Sequence, residues 1–161
     1  MYRRAVVAVV ILMMVSGGMP AAWAAQPVAA VAAPAAPLDL TILHTNDFHA
    51  RIDEYDVGGG ACTNAANCIG GYARLATLVA GVRADTDNVL LVDAGDQFQG
   101  TLYYNLFKSD VVAAMMNAVG YEAMTVGNHE FDDGPAELAA LATAAAFPIV
   151  STNLDVSAEP A

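Results

Sequence analysis

The sequence is poor in basic residues, in cysteine and in long apolar runs. Six Lys and Arg stand against seventeen Asp and Glu in 161 residues, a formal charge of −11. A nucleic-acid backbone is bound by clustered Lys and Arg, so no nucleic-acid partner is expected. The two cysteines, Cys62 and Cys68, enclose the polar run TNAAN. An even count at short spacing in an exported chain predicts one disulfide that pins a surface loop and does not staple the domain. The alternative, a metal pair, has no His or further Cys beside it. The longest clean apolar run, residues 5–15, has eleven residues, well short of the ~20 that a membrane-spanning helix needs. The 57% hydrophobic content is inflated by alanine and by this N-terminal run, so it does not indicate a membrane protein.

That run has the form of an export signal. Arg3 and Arg4 precede it, Ser16, Gly17, Gly18 and Pro20 break it, and Ala22-Trp23-Ala24 fits the small-x-small cleavage rule. Residues 1–24 are therefore expected to be a signal peptide cut after Ala24, which places the mature chain in the periplasm or outside the cell. Loss of Arg3 and Arg4 leaves four basic residues against seventeen acidic, or −13. Residues 25–37 (AQPVAAVAAPAAP) offer little to pack and no turn chemistry, and read as an extended linker. The folded part is expected over 38–161, long enough for one small domain with a core.

Within it, strands and helices alternate. Residues 38–45 (LDLTILHT) read as a strand, and residues 46–70 as a loop with three consecutive glycines. Leu75, Leu78, Val79 and Val82 recur at helical spacing over 72–83; VLLV at 89–92 is a short buried strand. Val111, Val112, Met115, Met116 and Val119 mark a helix over 108–119, with Gly120 at its C-terminal cap. A third strand is expected over 123–126, a third helix from Pro135 to about residue 145, and a fourth strand from Ile149. The order β-α-β-α-β-α-β implies an α/β fold with right-handed crossovers and largely parallel pairing. Ligands of such sheets collect beyond the carboxyl ends of the strands.

Three polar blocks fall at those ends: Asp47-Phe48-His49, Gly95-Asp96 and Gly127-Asn128-His129-Glu130. In an extended segment residues i and i+2 point the same way, so Asp47 and His49 are expected to reach one metal ion together. Taken singly, such pairs also occur as a turn Asp beside a surface His, or as a helix cap. Asp96 has two carboxylate oxygens and can bridge two ions. Asn128 offers a neutral oxygen, and Gly127 permits a tight turn before it. His129 can face a substrate while Asp132, three residues on, orients it. His44, inside the first strand, reads as structural. The donors are oxygen and nitrogen with no thiolate, which suits zinc or manganese.

With these blocks stand ILHTNDFHARID (42–53), GGYARLATLV (70–79), DAGDQFQGTLYYNLFK (93–108) and FPIVSTNLD (147–155). The sequence from about residue 38 to 155 resembles the calcineurin-like metallophosphoesterase superfamily, and within it the 5′-nucleotidase family. The cysteine pair before GGYARL resembles its animal ecto-enzyme branch. The resemblance implies a metallophosphoesterase-type β-sandwich flanked by helices, of which only the first half is present. It implies two divalent metal ions. Asp47 and His49 would bind the first, Asp96 would bridge both and Asn128 would bind the second. His129, oriented by Asp132, would stabilise the phosphoryl oxygens or the leaving group. Glu130 is tempting as a general base, and the resemblance gives it no such role.

The resemblance also implies later histidines that complete both metal shells and a C-terminal domain that holds the nucleobase. After His129 the sequence has no histidine, so a fragment of a longer enzyme is expected. The implied reaction is release of phosphate from nucleoside 5′-monophosphates. UDP-sugar hydrolysis, 2′,3′-cyclic-nucleotide phosphodiesterase activity and an inactive metal-binding remnant are the competing readings.

Overall fold

The computed structural model describes residues 37–158. The expected signal peptide and all but the last residue of the linker lie outside them. In chain order the elements are β1 (Thr41–Thr45), β2 (Tyr55–Asp56), β3 (Cys68–Ile69), α1 (Tyr72–Asp85), β4 (Val89–Asp93), α2 (Leu102–Val119), β5 (Ala123–Met124) and α3 (Pro135–Ala144).

β1, β4 and β5 form a parallel sheet in that spatial order. Leu43 lies opposite Leu91, and Asp93 opposite Met124. Parallel neighbours need a crossover, and α1 and α2 supply the two crossovers here. Leu91 and Met124 face a core made with Tyr72 and Val79 of α1, Val112 and Met116 of α2, and Leu141 of α3. The opposite face carries Ile42, which is 56% exposed. The α/β class is as expected, and β1, β4 and β5 build one sheet layer with its helices. No helix among them is long and apolar enough to cross a membrane.

Several boundaries differ from expectation. The stretch 46–70 is not all loop. β2 and β3 pair as a small antiparallel hairpin, closed by Asp56, which accepts from the N–H groups of Gly58 and Gly60. The Cys62–Cys68 disulfide is formed beside it, with Cα atoms 5.5 Å apart. On α1, Val79 is buried but Leu78 is 63% exposed; Tyr72 takes the place expected for it in the core. The third strand ends at Met124, and the fourth is reduced to one parallel bridge between Met124 and Ile149.

α2 starts six residues before the expected Lys108 and breaks there, at φ 52° and ψ −141°. The Lys108 ammonium lies 2.8 Å from Asp133 and sits over the Tyr104 ring. Glu137 of α3 accepts from the Ser109 N–H, the first of the second segment. A carboxylate at that position satisfies a backbone donor that the helix itself leaves free. Gly120 ends the helix in the left-handed region, its N–H bonded to the carbonyls of Met116 and Asn117, as expected of a C-terminal glycine.

Candidate metal centre

The three blocks meet at the carboxyl end of the sheet. One ligand atom each from His49, Asp96 and His129 lie within 4.8 Å of one another. His49 Nε2 is 3.8 Å from Asp47 Oδ1. The rings of His49 and His129 meet edge to face with centroids 5.0 Å apart.

Asp47 and His49 do come together, but not for the reason the alternation of a strand gives. β1 has ended at Thr45. Asp47 and His49 sit in the left-handed region at φ 52° and 50°, as does Asp96 at 58°. This region costs a residue with a Cβ free energy and is held only where neighbours over-determine it. Here the neighbour is the loop after β4. The N–H groups of Asp47, His49 and Ala50 bond in turn to the carbonyls of Gly95, Asp96 and Gln97, at 2.9, 3.1 and 2.9 Å. The first two blocks are thus zipped together by backbone. His49 Nδ1 lies 3.0 Å from the Phe98 carbonyl, which makes Nδ1 the protonated nitrogen and leaves Nε2 free to ligate.

The second and third blocks touch through glycine. A Cβ on Gly95 would lie 2.2 Å from the Gly127 nitrogen, and one on Gly127 would lie 2.1 Å from Asp96 Oδ1. Only paired glycines allow this approach. Asp96 Oδ1 accepts from the His129 N–H at 3.0 Å. Glu130, fully buried, accepts from the backbone N–H groups of Asp96, Gln97, Phe98 and Gly127. Sequence reading weighed Glu130 only as a base. Three of its four donors lie more than thirty residues away, where no local pattern reaches.

His129 Nδ1 is 2.7 Å from Asp132 Oδ2. That hydrogen bond, joined by the charges of Asp132, Asp96 and Glu130 and opposed by slight burial, raises the His129 pKa above the ordinary imidazole value. Asn128 is exposed, and its side chain caps no N–H of the 3-10 turn that follows. His44 is exposed on β1 and stands outside the cluster.

Under the site lies a polar network that sequence reading missed. Asp93, at the end of β4, accepts from the Thr45 hydroxyl, the Gln97 amide and the Gly95 N–H. Tyr72 donates to Gln97, and Tyr121 shares a hydrogen bond with Thr45. Burial, only partly offset by these bonds, pushes the Asp93 carboxyl up to about 6.

Residues 40–157 match the family described as Calcineurin-like phosphoesterase. Among relatives, the 5′-nucleotidase of Bos taurus is 50% identical over 121 residues, which is 74% of this chain and 21% of that protein. The snake venom 5′-nucleotidase of Gloydius brevicauda is 49% identical over 127 residues, 78% and 21% of the two chains. Among solved structures, a 5′-nucleotidase precursor from Thermus thermophilus superposes with a TM-score of 0.67 at 42% identity, covering 75% of this chain and 23% of that one. The chain therefore spans about a fifth of the length of the curated relatives it matches.

Proposed function

The chain belongs to the calcineurin-like phosphoesterase family, and on that premise we propose that it forms part of the catalytic domain of a nucleotidase. This enzyme would release phosphate from nucleoside 5′-monophosphates with two divalent metal ions. The observation that carries the reading is the convergence of His49, Asp96 and His129 within 4.8 Å, with Asp47 alongside. Relatives named 5′-nucleotidase support the substrate class. The leader pattern and the venom relative support export to the periplasm or the outside of the cell.

The donor set fits hard or borderline divalent ions such as zinc and manganese. It offers imidazole, carboxylate and amide groups with no thiolate. Among the described residues, no Lys or Arg pairs with Asp47 or Asp96, so their charge is free for a cation. Asp47, His49 and Asp96 would hold the first ion, and Asp96 and Asn128 the second. Bound metals would supply Lewis acidity to the phosphoryl group and lower the pKa of the attacking water. The chain's own contribution is position and charge. The left-handed turn fixes Asp47 and His49 against Asp96. Asp132 holds His129 through Nδ1, which leaves Nε2 to donate to a phosphoryl oxygen or to the departing ribose oxygen. The acidic surface opposes an anionic substrate, and divalent ions reverse that sign locally.

The test is phosphate release from AMP with added zinc or manganese, comparing the full-length protein with its Asp96→Asn variant. Metal-dependent release that the variant loses supports the reading. Equal release by the variant, with two ions still tightly held, removes Asp96 from the bridging role. A second reading, hydrolysis of a nucleoside di- or triphosphate, is favoured by an apyrase of Tabanus yao at 46% identity; ATP and ADP in the same assay separate the two.

A further inference from the structure

We infer that Glu130 is a positioning residue that locks the two metal-ligand loops into one register before any metal arrives. The inference rests on the reading of Asp96 and Asn128 as ligands. Glu130 is completely buried in the 3-10 turn His129–Phe131. Its Oε1 accepts from Gln97 N–H at 2.7 Å and Phe98 N–H at 3.2 Å. Its Oε2 accepts from Asp96 N–H at 2.9 Å and Gly127 N–H at 2.6 Å. Three donors belong to the loop after β4 and one to the loop after β5, so a single carboxylate spans both.

The geometry explains why a carboxylate is needed. Each oxygen faces two N–H donors. An amide in its place would turn its own N–H groups against one pair, in either orientation. Ionised acceptors also make the stronger hydrogen bonds. The loop so held contains Asp96 in the left-handed region, a conformation that persists only when its surroundings fix it. It also contains the Phe98 carbonyl that orients His49. Glu130 therefore acts on three candidate site residues, Asp96, His49 and Asn128, without approaching a substrate itself. This is a different task from that of a general base, and its burial excludes the latter.

The test measures manganese dissociation constants for the full-length protein and its Glu130→Gln, Glu130→Asp and Val79→Ala variants, with thermal melts of each in chelator. Val79 is buried in α1, has no polar side-chain atom to bond the loops, and serves as a stability control. Both Glu130 variants are expected to weaken manganese binding at least tenfold. Val79→Ala is expected to lower the melting temperature while leaving affinity within twofold. The inference is overturned if Glu130→Gln binds within twofold of the parent chain. Full affinity in Glu130→Asp also overturns it, because nearby charge and not position would then be what matters. So does an equal loss in Val79→Ala. Hydrogen exchange on the metal-free parent chain covers the case of variants that do not fold. The N–H groups of Asp96, Gln97, Phe98 and Gly127 are expected to exchange slowly and together, and exchange as fast as at exposed Asn46 refutes the lock. A parent chain with slow exchange but no manganese uptake overturns the metal reading and with it the role of Glu130 toward ligands.

Discussion

Asp93 gives the folded chain a pH dependence that can be isolated by substitution. Its carboxyl is 3% exposed and stands at about 6, against an ordinary 3.8. On acidification from neutral pH the folded state takes up this proton first, and the unfolded state follows only near 3.8. Between those values the folded chain holds more protons, so stability falls as pH rises through the window. At about 1.36 kcal/mol per pH unit, the gap corresponds to about 3 kcal/mol, or roughly 10 °C in melting temperature for a domain of this size. The protonated form can be accommodated because the Thr45 hydroxyl can turn toward Tyr121, which lies 2.6 Å away. Asp93→Asn carries no titrating proton. Urea unfolding of both chains in chelator at about pH 4, 5, 6 and 7 would show the parent losing about 2.5 kcal/mol of this relative to the variant from low pH to high. The offset between them at any one pH is immaterial; only the slope counts. A difference that stays flat across the series would mean that Asp93 ionises in the fold as easily as in the unfolded chain, and that its three donors fully replace water.

The same logic with opposite chemistry applies to His129, where Asp132→Asn should lower the imidazole midpoint in a proton NMR titration of metal-free chain. Because Asp132 favours the charged ring, its stabilisation is present below the ordinary histidine range and is lost as pH rises through the raised value. Reduction of Cys62–Cys68, which are six residues apart, should cost about 2 kcal/mol from the short loop it closes. Thermal melts with and without reductant would show it, and manganese affinity should not change, since the hairpin contributes no site residue. Chelation should leave the circular dichroism spectrum of the folded chain intact, because the core of Leu91, Phe98, Met116, Met124 and Leu141 includes no candidate ligand. Loss of secondary structure on chelation would show instead that metal binding and folding are one event.

The alternation of β and α was legible because apolar periodicity and glycine or proline punctuation agree there. Gly120 and Pro135 mark helix ends where the structure has them. The first segment of α2 was not legible. Leu102, Leu106 and Phe107 are all largely exposed and Tyr104 alone is fully buried, so no apolar stripe marks that segment. Its order comes from Tyr104, which packs on Phe98 and donates to Asp133, and from the contacts of Lys108 and Ser109 with Asp133 and Glu137 at the break, partners not adjacent in sequence. The two-residue strands β2 and β3 are too short to show alternation, and their pairing is fixed by the disulfide and by Asp56. At the candidate site, residue types suggested metal ligation, and the conformation that brings them together did not follow from strand alternation. Asp, Asn and His tolerate the left-handed region better than most residues, which makes D-x-H at a strand end compatible with a turn as well as with an extended ligand pair.

That turn changes what has to hold the site. A ligand pair displayed on a strand is positioned by the sheet ladder. A pair in the left-handed region is positioned by whatever offsets its strain, here three successive backbone bonds to residues 95–97. The same residues lean on Gly127 through a gap too narrow for any Cβ. The second block is therefore the hub: it fixes the first by backbone bonds and meets the third by glycine contact and by the buried carboxylate of Glu130. Each block lies more than thirty residues from the next along the chain. The arrangement of the candidate ligands is consequently a property of the folded backbone, and an ion would find a site whose entropy of assembly has already been met by folding.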